Sequence, residues 1–452
     1  MDQEFWNKIE RYDLDHPLSE YGFSTRLARE NYWTKNFTTR AIVEYKKFMY
    51  LAATSDLMVS PSAIVDTVWH QHLIFTQSYQ DFCDVAGKAI QHVPSTHNSE
   101  DFGKFKQAKE RTGKLYQSTF GEQPADIWER EGMYEGLSLD KAPIKIRTFV
   151  LYGMLVSAAL IFPAYTLLRP VYVQIDSLDF LMGYVLLCVA VFTGLEIFNE
   201  RYLAEVIRKI EPGSFLADLH PSELVYLKTQ ELSQVIHGVM NRLLIDRILR
   251  VSGGKYFEEI SGGKPRSIEE SQIMTSLGTA GKNNYDDLLH TLRGKPVFAN
   301  VESSMEAFKK YFIKSVRFGR LFYINYAIVS LTFLAGFTRL VTGVMRDKPI
   351  QIITIALVVL GAISAWFLYR LTQLACKKTI PKIYRDRLKT TPGKSDGQWD
   401  YFLLGASILF PTFAPMVERM EGTSSSDGDS SDGGSSCGSS CSSCGGCGGG
   451  GD

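Results

Sequence analysis

Four long runs of residues without a charged side chain constrain the fold of this chain more than any other feature. They cover residues 148–168, 180–195, 321–338 and 349–369. A helix rises about 1.5 Å per residue and a hydrocarbon core is about 30 Å thick, so the first and last of these runs are long enough to cross a bilayer. Buried helices of soluble enzymes rarely reach this length without a charge. The sequence therefore predicts four transmembrane helices.

A fifth apolar stretch, 401–417, is shorter and contains Pro411 and Pro415. Proline interrupts helices because it lacks an N–H and clashes with the preceding turn. The sequence leaves three interpretations open for this stretch: a fifth transmembrane helix, a helix lying at the membrane interface, or a re-entrant piece.

The rest of the chain has the composition of folded soluble protein. Charged residues make up 22% and aromatic residues 12%, and 49 basic residues balance 49 acidic ones. A disordered chain has fewer aromatic residues and a larger net charge, and a nucleic-acid binder needs a basic footprint, so both classes are excluded for the whole chain. The first residues, MDQEFWNKIE, are too charged for a signal peptide, which predicts a cytosolic N-terminal unit.

Lysine and arginine collect on one side of the predicted spans. They precede the first span at 141–147, crowd the start of the third at 309–320 and follow the fourth at 370–389. The positive-inside rule assigns this side to the cytoplasm. A smaller basic loop, 339–348, lies on the opposite side and weakens the contrast there. We therefore predict a multi-pass protein of the cell (inner) membrane, with the N-terminus and the main soluble domains in the cytoplasm.

Two soluble segments show their own patterns. Residues 1–135 have helical periodicity and carry 15 basic and 20 acidic residues, as expected of a mildly acidic helical domain. In residues 200–318, two amphipathic helices precede a β-hairpin whose turn is Gly253-Gly254, which suggests a winged-helix-like module. Its 17 basic and 15 acidic residues favour protein interaction or packing over DNA binding.

The predicted fold class is mainly α. It combines a soluble helical N-terminal domain, four transmembrane helices (five if the last apolar stretch spans), a small winged-helix-like α+β insert and a disordered tail. The predicted boundaries in chain order are 1–135 for the helical cytoplasmic domain, 148–198 for the first transmembrane hairpin, 200–318 for the insert, 321–369 for the second hairpin, 370–420 for a basic juxtamembrane segment, and 421–452 for the Gly/Ser/Cys-rich tail.

The residues best suited to chemistry lie in the N-terminal unit. Asp66 and His70 are four residues apart on a predicted helix, so the carboxylate can orient the imidazole without itself binding the ion. His72 lies about 200° around the helix from His70 and cannot share an ion with it unless the helix has ended. His70, Cys83 and His92 would supply a nitrogen–sulfur–nitrogen set suited to zinc. The alternative interpretation is a buried polar network that fixes how the helices pack.

The second candidate group is in the tail, where four cysteines stand close together. In a reducing cytosol their thiolates would suit zinc or another soft metal. The C-x3-C-x2-C spacing also occurs in radical enzymes that use S-adenosylmethionine, but those enzymes need a barrel that this sequence does not predict. Metal binding and a low-complexity tail with inert or otherwise used thiols both stay open. The cysteines are Cys437, Cys441, Cys444 and Cys447.

Two parts of the chain resemble known families. The segments SPSAIVDTVWHQHLIFTQSYQDFC and IQHVP resemble the glycine-rich domain-containing-protein-like family, whose motifs are D-x-x-W-H, Y-x-x-F/D-C and a His-Pro-type element. The resemblance covers roughly residues 20–130 and leaves His72 at a variable position. It implies motif roles for Asp66, Trp69, His70, Tyr79, Cys83 and His92.

Residues 145–452 resemble a group of uncharacterised bacterial multi-span proteins with Gly/Cys-rich tails. The stretches that carry this likeness are LHPSELVYLKTQELSQVIHGVMNRLLID, the surroundings of GFTRLVTGVMRDKPI and the tail itself. This resemblance implies a membrane location and a bacterial type of architecture, and no reaction.

Together these patterns favour a membrane scaffold or interaction protein. Its expected partners are the lipid bilayer and a protein bound by the cytoplasmic domains, not nucleic acid, and its candidate cofactor is zinc. Transporters usually place ionisable residues in mid-span, which these charge-free runs do not. The alternative is a membrane-anchored zinc- or thiol-dependent hydrolase or transferase that uses His70, Cys83 and His92. No Ser–His–Asp, P-loop or dinucleotide motif is present, so a binding role is preferred over catalysis.

Overall fold

The protein is mainly helical, as predicted. The computed structural model describes residues 1–93, 99–210, 212–260, 263–390 and 397–424. Within these ranges the strands belong to one small antiparallel sheet. The predicted tail lies outside the described residues from residue 425 onward, and so do its four cysteines.

The N-terminal region is built from short helices around an aromatic core. Asp2 caps the first helix by accepting a hydrogen bond from the backbone N–H of Phe5 at 3.1 Å. Trp6 and Ile9, three residues apart on this helix, are both buried. The helices are α1 (Gln3–Arg11), α2 (Phe23–Asn31), α3 (Lys35–Thr54), α4 (Ala63–Ile74), α5 (Thr76–Ala86), α6 (Ser99–Phe120) and α7 (Ala125–Trp128), followed by a 3₁₀ turn at Met133–Leu137.

Within the described ranges, three helices are long and apolar enough to cross a membrane. They are α10 (Ser177–Ile210), α16 (Val316–Val344) and the helix formed by α17 (Gln351–Leu374), a π-helical turn (Ala375–Thr379) and α18 (Ile380–Thr390). The first uncharged run forms two helices instead of one, α8 (Ile146–Ala159) and α9 (Ile161–Tyr172), which meet at 48°. Pro163 lies just after the break, and because it has no N–H it cannot continue the hydrogen-bond ladder. The pair counts as a fourth span only if it crosses as one broken unit.

The outer surfaces of these helices are apolar. Phe162 is 72% exposed, and Leu186 and Val358 are each 69% exposed. A soluble protein rarely leaves so large a contiguous apolar surface in water. The exposed side chains therefore fit a lipid environment and argue against buried core helices of a soluble enzyme.

The segment between α10 and α16 folds as a small α+β unit. The predicted hairpin is confirmed, since strands 249–252 and 256–259 pair antiparallel with Ser252 opposite Tyr256 across the glycine turn. A third strand, 282–284, which the sequence does not predict, pairs with the second. The elements are α11 (Pro221–Thr229), α12 (Leu232–Ile245), β1 (Leu249–Ser252), β2 (Tyr256–Glu259), α13 (Ile268–Ser276), β3 (Lys282–Asn284), α14 (Tyr285–Gly294) and α15 (Pro296–Ile313), preceded by a 3₁₀ turn at Phe215–Ala217.

This unit and the N-terminal region share one continuous core. The backbone N–H of Lys35, at the start of α3, donates to Glu223 Oε1 on α11 at 2.8 Å, and the Lys35 ammonium pairs with Glu269 on α13. Tyr134 OH donates to the Ser304 carbonyl on α15 at 3.3 Å. The two regions therefore pack against each other directly.

The last apolar stretch does not form a span. Residues 401–417 break into α19 (Gly397–Leu404), a 3₁₀ turn (Gly405–Ile408) and the start of α20 (Ala414–Ser424). Phe402 and Phe413 are fully buried in the shared core. The Asn241 side chain on α12 accepts from the Phe410 N–H at 2.7 Å and donates to the Ile408 carbonyl at 3.1 Å. These contacts argue against a fifth transmembrane helix, because most of the large apolar side chains of the stretch are covered by protein, while Leu404 stays 58% exposed.

The shared core of the N-terminal region and the α+β unit adjoins one end of the helix bundle, which we call the proximal end. There Val316 N–H donates to the Asp140 carbonyl at 2.8 Å, and Tyr202 OH donates to the Arg317 carbonyl at 3.0 Å. The opposite, distal end is formed by the connections at 173–176 and 345–350, where Arg346 donates to the Val173 carbonyl at 3.4 Å. The N-terminal region, the α+β unit and α19–α20 therefore all lie at the same end.

Candidate metal centre

The candidate site is built on α4 and on the segment that follows α5. The Ser62 hydroxyl accepts from the backbone N–H of Val65 at 3.2 Å and fixes the start of α4. Asp66 and His70 then lie one turn apart on the same face. The structure therefore confirms the prediction that both residues lie on one face of a helix.

The third residue, His92, is brought to this face by a chain of hydrogen bonds. Trp69 Nε1 donates to Tyr79 OH at 3.0 Å, and Tyr79 OH in turn donates to the Ile90 carbonyl. This holds the extended segment after α5 against α4. The Trp69 ring also lies edge-on to the His92 ring, with centroids 4.6 Å apart.

Three ligand-type atoms converge where these elements meet. His92 Nε2 lies 2.9 Å from Asp66 Oδ1, and His70 Nε2 lies 3.3 Å from Asp66 Oδ2. The ligand atoms of the three residues all lie within 4.8 Å of one another. Two imidazole nitrogens and a carboxylate oxygen form a donor set typical of zinc and other divalent transition metals.

The centre is open on one side. The side chains of His70, Asp66 and His92 are 59%, 38% and 14% exposed. A cavity of about 310 Å³ adjoins them, with Pro61 and Phe105 among its walls. The arrangement therefore packs His92 against the protein, leaves His70 at the rim and gives a small molecule access to all three donors.

Cys83 does not belong to this centre, which corrects the predicted His70–Cys83–His92 set. It lies on α5, one turn from Tyr79, and its thiol interacts with the Tyr79 hydroxyl, whose pKa is raised to about 12, mainly by burial. Because the two residues are four positions apart, Cys83 lies on the same face of α5 as Tyr79. Asp66 takes its place, as a group that contacts both imidazoles instead of orienting His70 alone.

His72 points the opposite way from His70, as the helical spacing indicates, and forms the polar network that was the alternative interpretation. Its ring is fully buried, with Nδ1 2.7 Å from Tyr45 OH and Nε2 3.2 Å from Ser78 Oγ. Burial lowers the pKa of His72 to about 4. Helix α4 therefore carries an exposed candidate metal centre on one face and a buried polar network on the other.

Sequence reasoning missed a second buried hub in the same region. Glu44 is 4% exposed, and its carboxylate accepts from Tyr116 OH and Trp128 Nε1, each at 2.7 Å, and from Lys47 Nζ at 2.8 Å. A glutamate in an amphipathic helix gives no signal of such burial, because two of its partners come from sequence positions 72 and 84 residues away. The only available hint was its place among apolar residues of α3.

A family model described as UCP032817-like matches residues 15–111. This is an uncharacterised family, and the match covers less than half of the chain. All three residues of the centre lie inside the matched segment. No curated protein and no solved structure matches the chain. The resemblances to the glycine-rich domain-containing-protein-like family and to a bacterial membrane family stay predictions.

Proposed function

We propose that this chain is a membrane-anchored interaction protein whose N-terminal region holds a zinc-class divalent ion. The observation that carries the proposal is the convergence of Asp66, His70 and His92 from two separate elements. Exposed acidic groups commonly stand close together without a metal, but this group contains two imidazoles, and all its ligand atoms lie within 4.8 Å of one another. The chemistry of the donors fits zinc, since nitrogen and oxygen ligands are what it takes besides thiolate.

The proposed topology supports an intracellular role for this site. We propose four crossings, with the α8–α9 pair crossing as one broken unit, so that all soluble parts lie on the cytoplasmic side. Three helices that pass the length and hydropathy requirements, and the basic residues near the proximal end, support this arrangement. We further propose that the α11–α15 unit is a winged-helix-like module that binds a protein, because its charge is nearly balanced.

A zinc- or thiol-dependent hydrolase or transferase is the second candidate. The feature that favours the zinc version is the open cavity beside the donors, because catalytic zinc sites keep one coordination position free whereas structural sites close it with four protein ligands. A bound zinc would supply Lewis-acid activation of water there. The thiol version has less support, since Cys83 lies outside the group of converging ligand atoms and its thiol interacts with the Tyr79 hydroxyl.

The test is the metal content of the purified full-length chain in detergent, prepared without a polyhistidine tag. The four tail cysteines are replaced by serine in every sample, so that their thiols cannot contribute metal. We expect about one zinc per chain, measured by mass spectrometry of the metal. Asp66→Asn and His92→Gln should each lower this at least tenfold, whereas His290→Gln, at an exposed histidine outside the centre, should leave it unchanged.

Two results would contradict the proposal. One is a wild-type sample that takes up no zinc even after incubation with the ion; the other is full occupancy in His92→Gln. If zinc is present, hydrolysis of chromogenic carboxylic and phosphate esters separates the two functions. Turnover that disappears in His92→Gln but not in His290→Gln would favour the enzyme, and a flat result in all samples would favour the interaction role.

A further inference from the structure

The distal end of the bundle encloses a cavity that the metal centre does not explain. Its volume is about 560 Å³, and it lies between the start of α10, the end of α16 and the start of α17. Three basic side chains line it: Arg339, Arg346 and Lys348. This is the basic loop that runs against the positive-inside pattern of the rest of the chain.

Protein carboxylates neutralise only part of the positive charge at this cavity. Among the residues that the structure describes, no carboxylate lies within 4.0 Å of any of the three basic groups. Asp176 is the one acidic residue in the lining. Arg339 is held in place by the carbonyl of Tyr172 and by that of Ile175 at 2.9 Å, while Lys348 is exposed. The lining therefore carries three positive charges against one negative charge.

Backbone dipoles add to this positive potential. Both α10 and α17 begin at the cavity, with Ser177 and Gln351 in its wall. The first N–H groups of a helix have no partner within the helix and favour anions. At α10 the Asp176 carboxylate accepts from Leu178 N–H at 3.3 Å, but no side chain caps the start of α17. The start of α17 is therefore free to bind an external anion.

The side of the cavity that faces the bundle's outer surface is apolar. Leu178 and Ile352 line it and are 62% and 67% exposed, at the level where the candidate membrane spans begin. A hydrated anion gains nothing from contact with such an apolar surface, whereas an acyl chain attached to the anion would cover the surface and remove it from water. Basic pockets between transmembrane helices bind phosphate headgroups in this way.

We propose that the distal cavity binds the phosphate-bearing headgroup of an anionic phospholipid, with an acyl chain lying along α10 and α17. Arg346, Lys348 and the open start of α17 bind the phosphate. Arg339 shapes the wall, because its guanidinium is fixed by backbone carbonyls. The recognised group is a phosphate whose negative charge is not offset by a cationic group such as choline, and the adjoining apolar wall assigns it to a lipid instead of a soluble phosphate ester.

The test measures binding of fluorescently labelled phosphatidylglycerol to the full-length protein in neutral detergent, by anisotropy. The variant is Arg346→Gln with Lys348→Gln. Its control is Arg169→Gln with Lys377→Gln, which removes the same charge from exposed positions outside the cavity. At about 1 kcal/mol for each basic residue, the variant should bind roughly 30-fold more weakly. The control should stay within about twofold of the wild type.

Competition identifies the ligand. Unlabelled phosphatidylglycerol should displace the probe, while phosphatidylcholine, inorganic phosphate and glycerol phosphate should not do so at the same concentration. Equal displacement by phosphatidylcholine, or unchanged affinity of the double variant, would overturn the proposal. Displacement by glycerol phosphate as strong as by the lipid would overturn the lipid assignment. If the double variant elutes as an aggregate, Lys348→Gln alone, at an exposed position, replaces it with an expected loss of about fivefold.

Discussion

Protonation of His72 should destabilise the N-terminal region at mildly acidic pH. The ring is fully buried between Tyr45 and Ser78, where it is held as the neutral form. Burial lowers its pKa from 6.5 to about 4, because a charged imidazole loses hydration that its two hydroxyl neighbours only partly replace. In the unfolded chain the same ring is protonated readily near pH 6. Acid should therefore favour unfolding.

The size of the effect follows from the two pKa values. The unfolded state binds more protons than the folded state between about pH 6.5 and pH 4, so the free energy of unfolding falls as the pH falls through this window. At about 1.4 kcal/mol per pKa unit, the loss is about 2 kcal/mol by pH 5 and about 3 kcal/mol once pH 4 is passed. Above about pH 7 the contribution is complete and pH has no further effect through this residue.

The assay compares the wild type with His72→Gln, which keeps a hydrogen-bonding side chain but does not titrate. Tryptophan fluorescence follows thermal unfolding of the full chain at about pH 7 and about pH 5, on either side of most of the titration. The wild type should lose roughly 4–8 °C more of its Tm than the variant over this interval. His220 and His237 also have pKa values lowered by burial, to about 3, so only this difference between proteins isolates His72. Equal pH dependence in both would refute the reasoning.

Two further substitutions test buried polar groups. Glu44→Ala leaves the hydroxyl of Tyr116 and the indole N–H of Trp128 buried without their acceptor. It should lower the free energy of unfolding by about 3–5 kcal/mol, measured as a large fall in the Tm of the soluble regions. Glu44→Gln should lower it less, since one carbonyl oxygen remains as an acceptor. Asn325→Leu breaks the reciprocal amide pair with Asn199 (2.7 and 2.9 Å) inside the bundle, and should cost roughly 1–2 kcal/mol in a titration with denaturing detergent. A neutral outcome would mean that Asn199 finds another partner.

Hydropathy predicted the helices of the bundle, but outside the bundle it could not distinguish apolar residues covered by protein from those covered by lipid. The uncharged runs correspond to α8–α9, α10, α16 and α17, because runs of such length without a charge are typical of helices that face lipid. The stretch 401–417 has a similar composition, yet most of its large apolar side chains pack in the shared core, since apolar composition is the same for lipid contact and for protein contact. The third strand has the sequence Lys-Asn-Asn, which has no strand propensity; pairing with β2 alone makes it a strand.

The candidate metal centre was predictable where it depended on local geometry and not where it depended on tertiary packing. The four-residue spacing of Asp66 and His70 sets their shared face, and the two-residue spacing of His72 sends it elsewhere. Whether Cys83 or Asp66 completes the set with His92 depends on which face of α5 meets α4. That face is fixed by Tyr79 bonding across to Trp69, a contact that no spacing rule contains.

The balanced net charge of the chain conceals two kinds of basic residue. At the proximal end Arg370 forms a bidentate ion pair with Glu196, at 2.6 and 3.1 Å, and Lys378 pairs with Glu200. The positive-inside rule counts Lys and Arg and gives acidic partners little weight, but the assignment holds even when these compensated pairs are left out. Without the paired residues, the proximal end still has more basic side chains outside ion pairs than the distal loop has. Arg147 and Arg317 are examples, since they form no ion pair within the described part of the chain. The proposed cytoplasmic side therefore does not depend on the paired residues. The distal bases form no ion pair within the described part of the chain, and the partner that we propose for them is the headgroup of an anionic lipid.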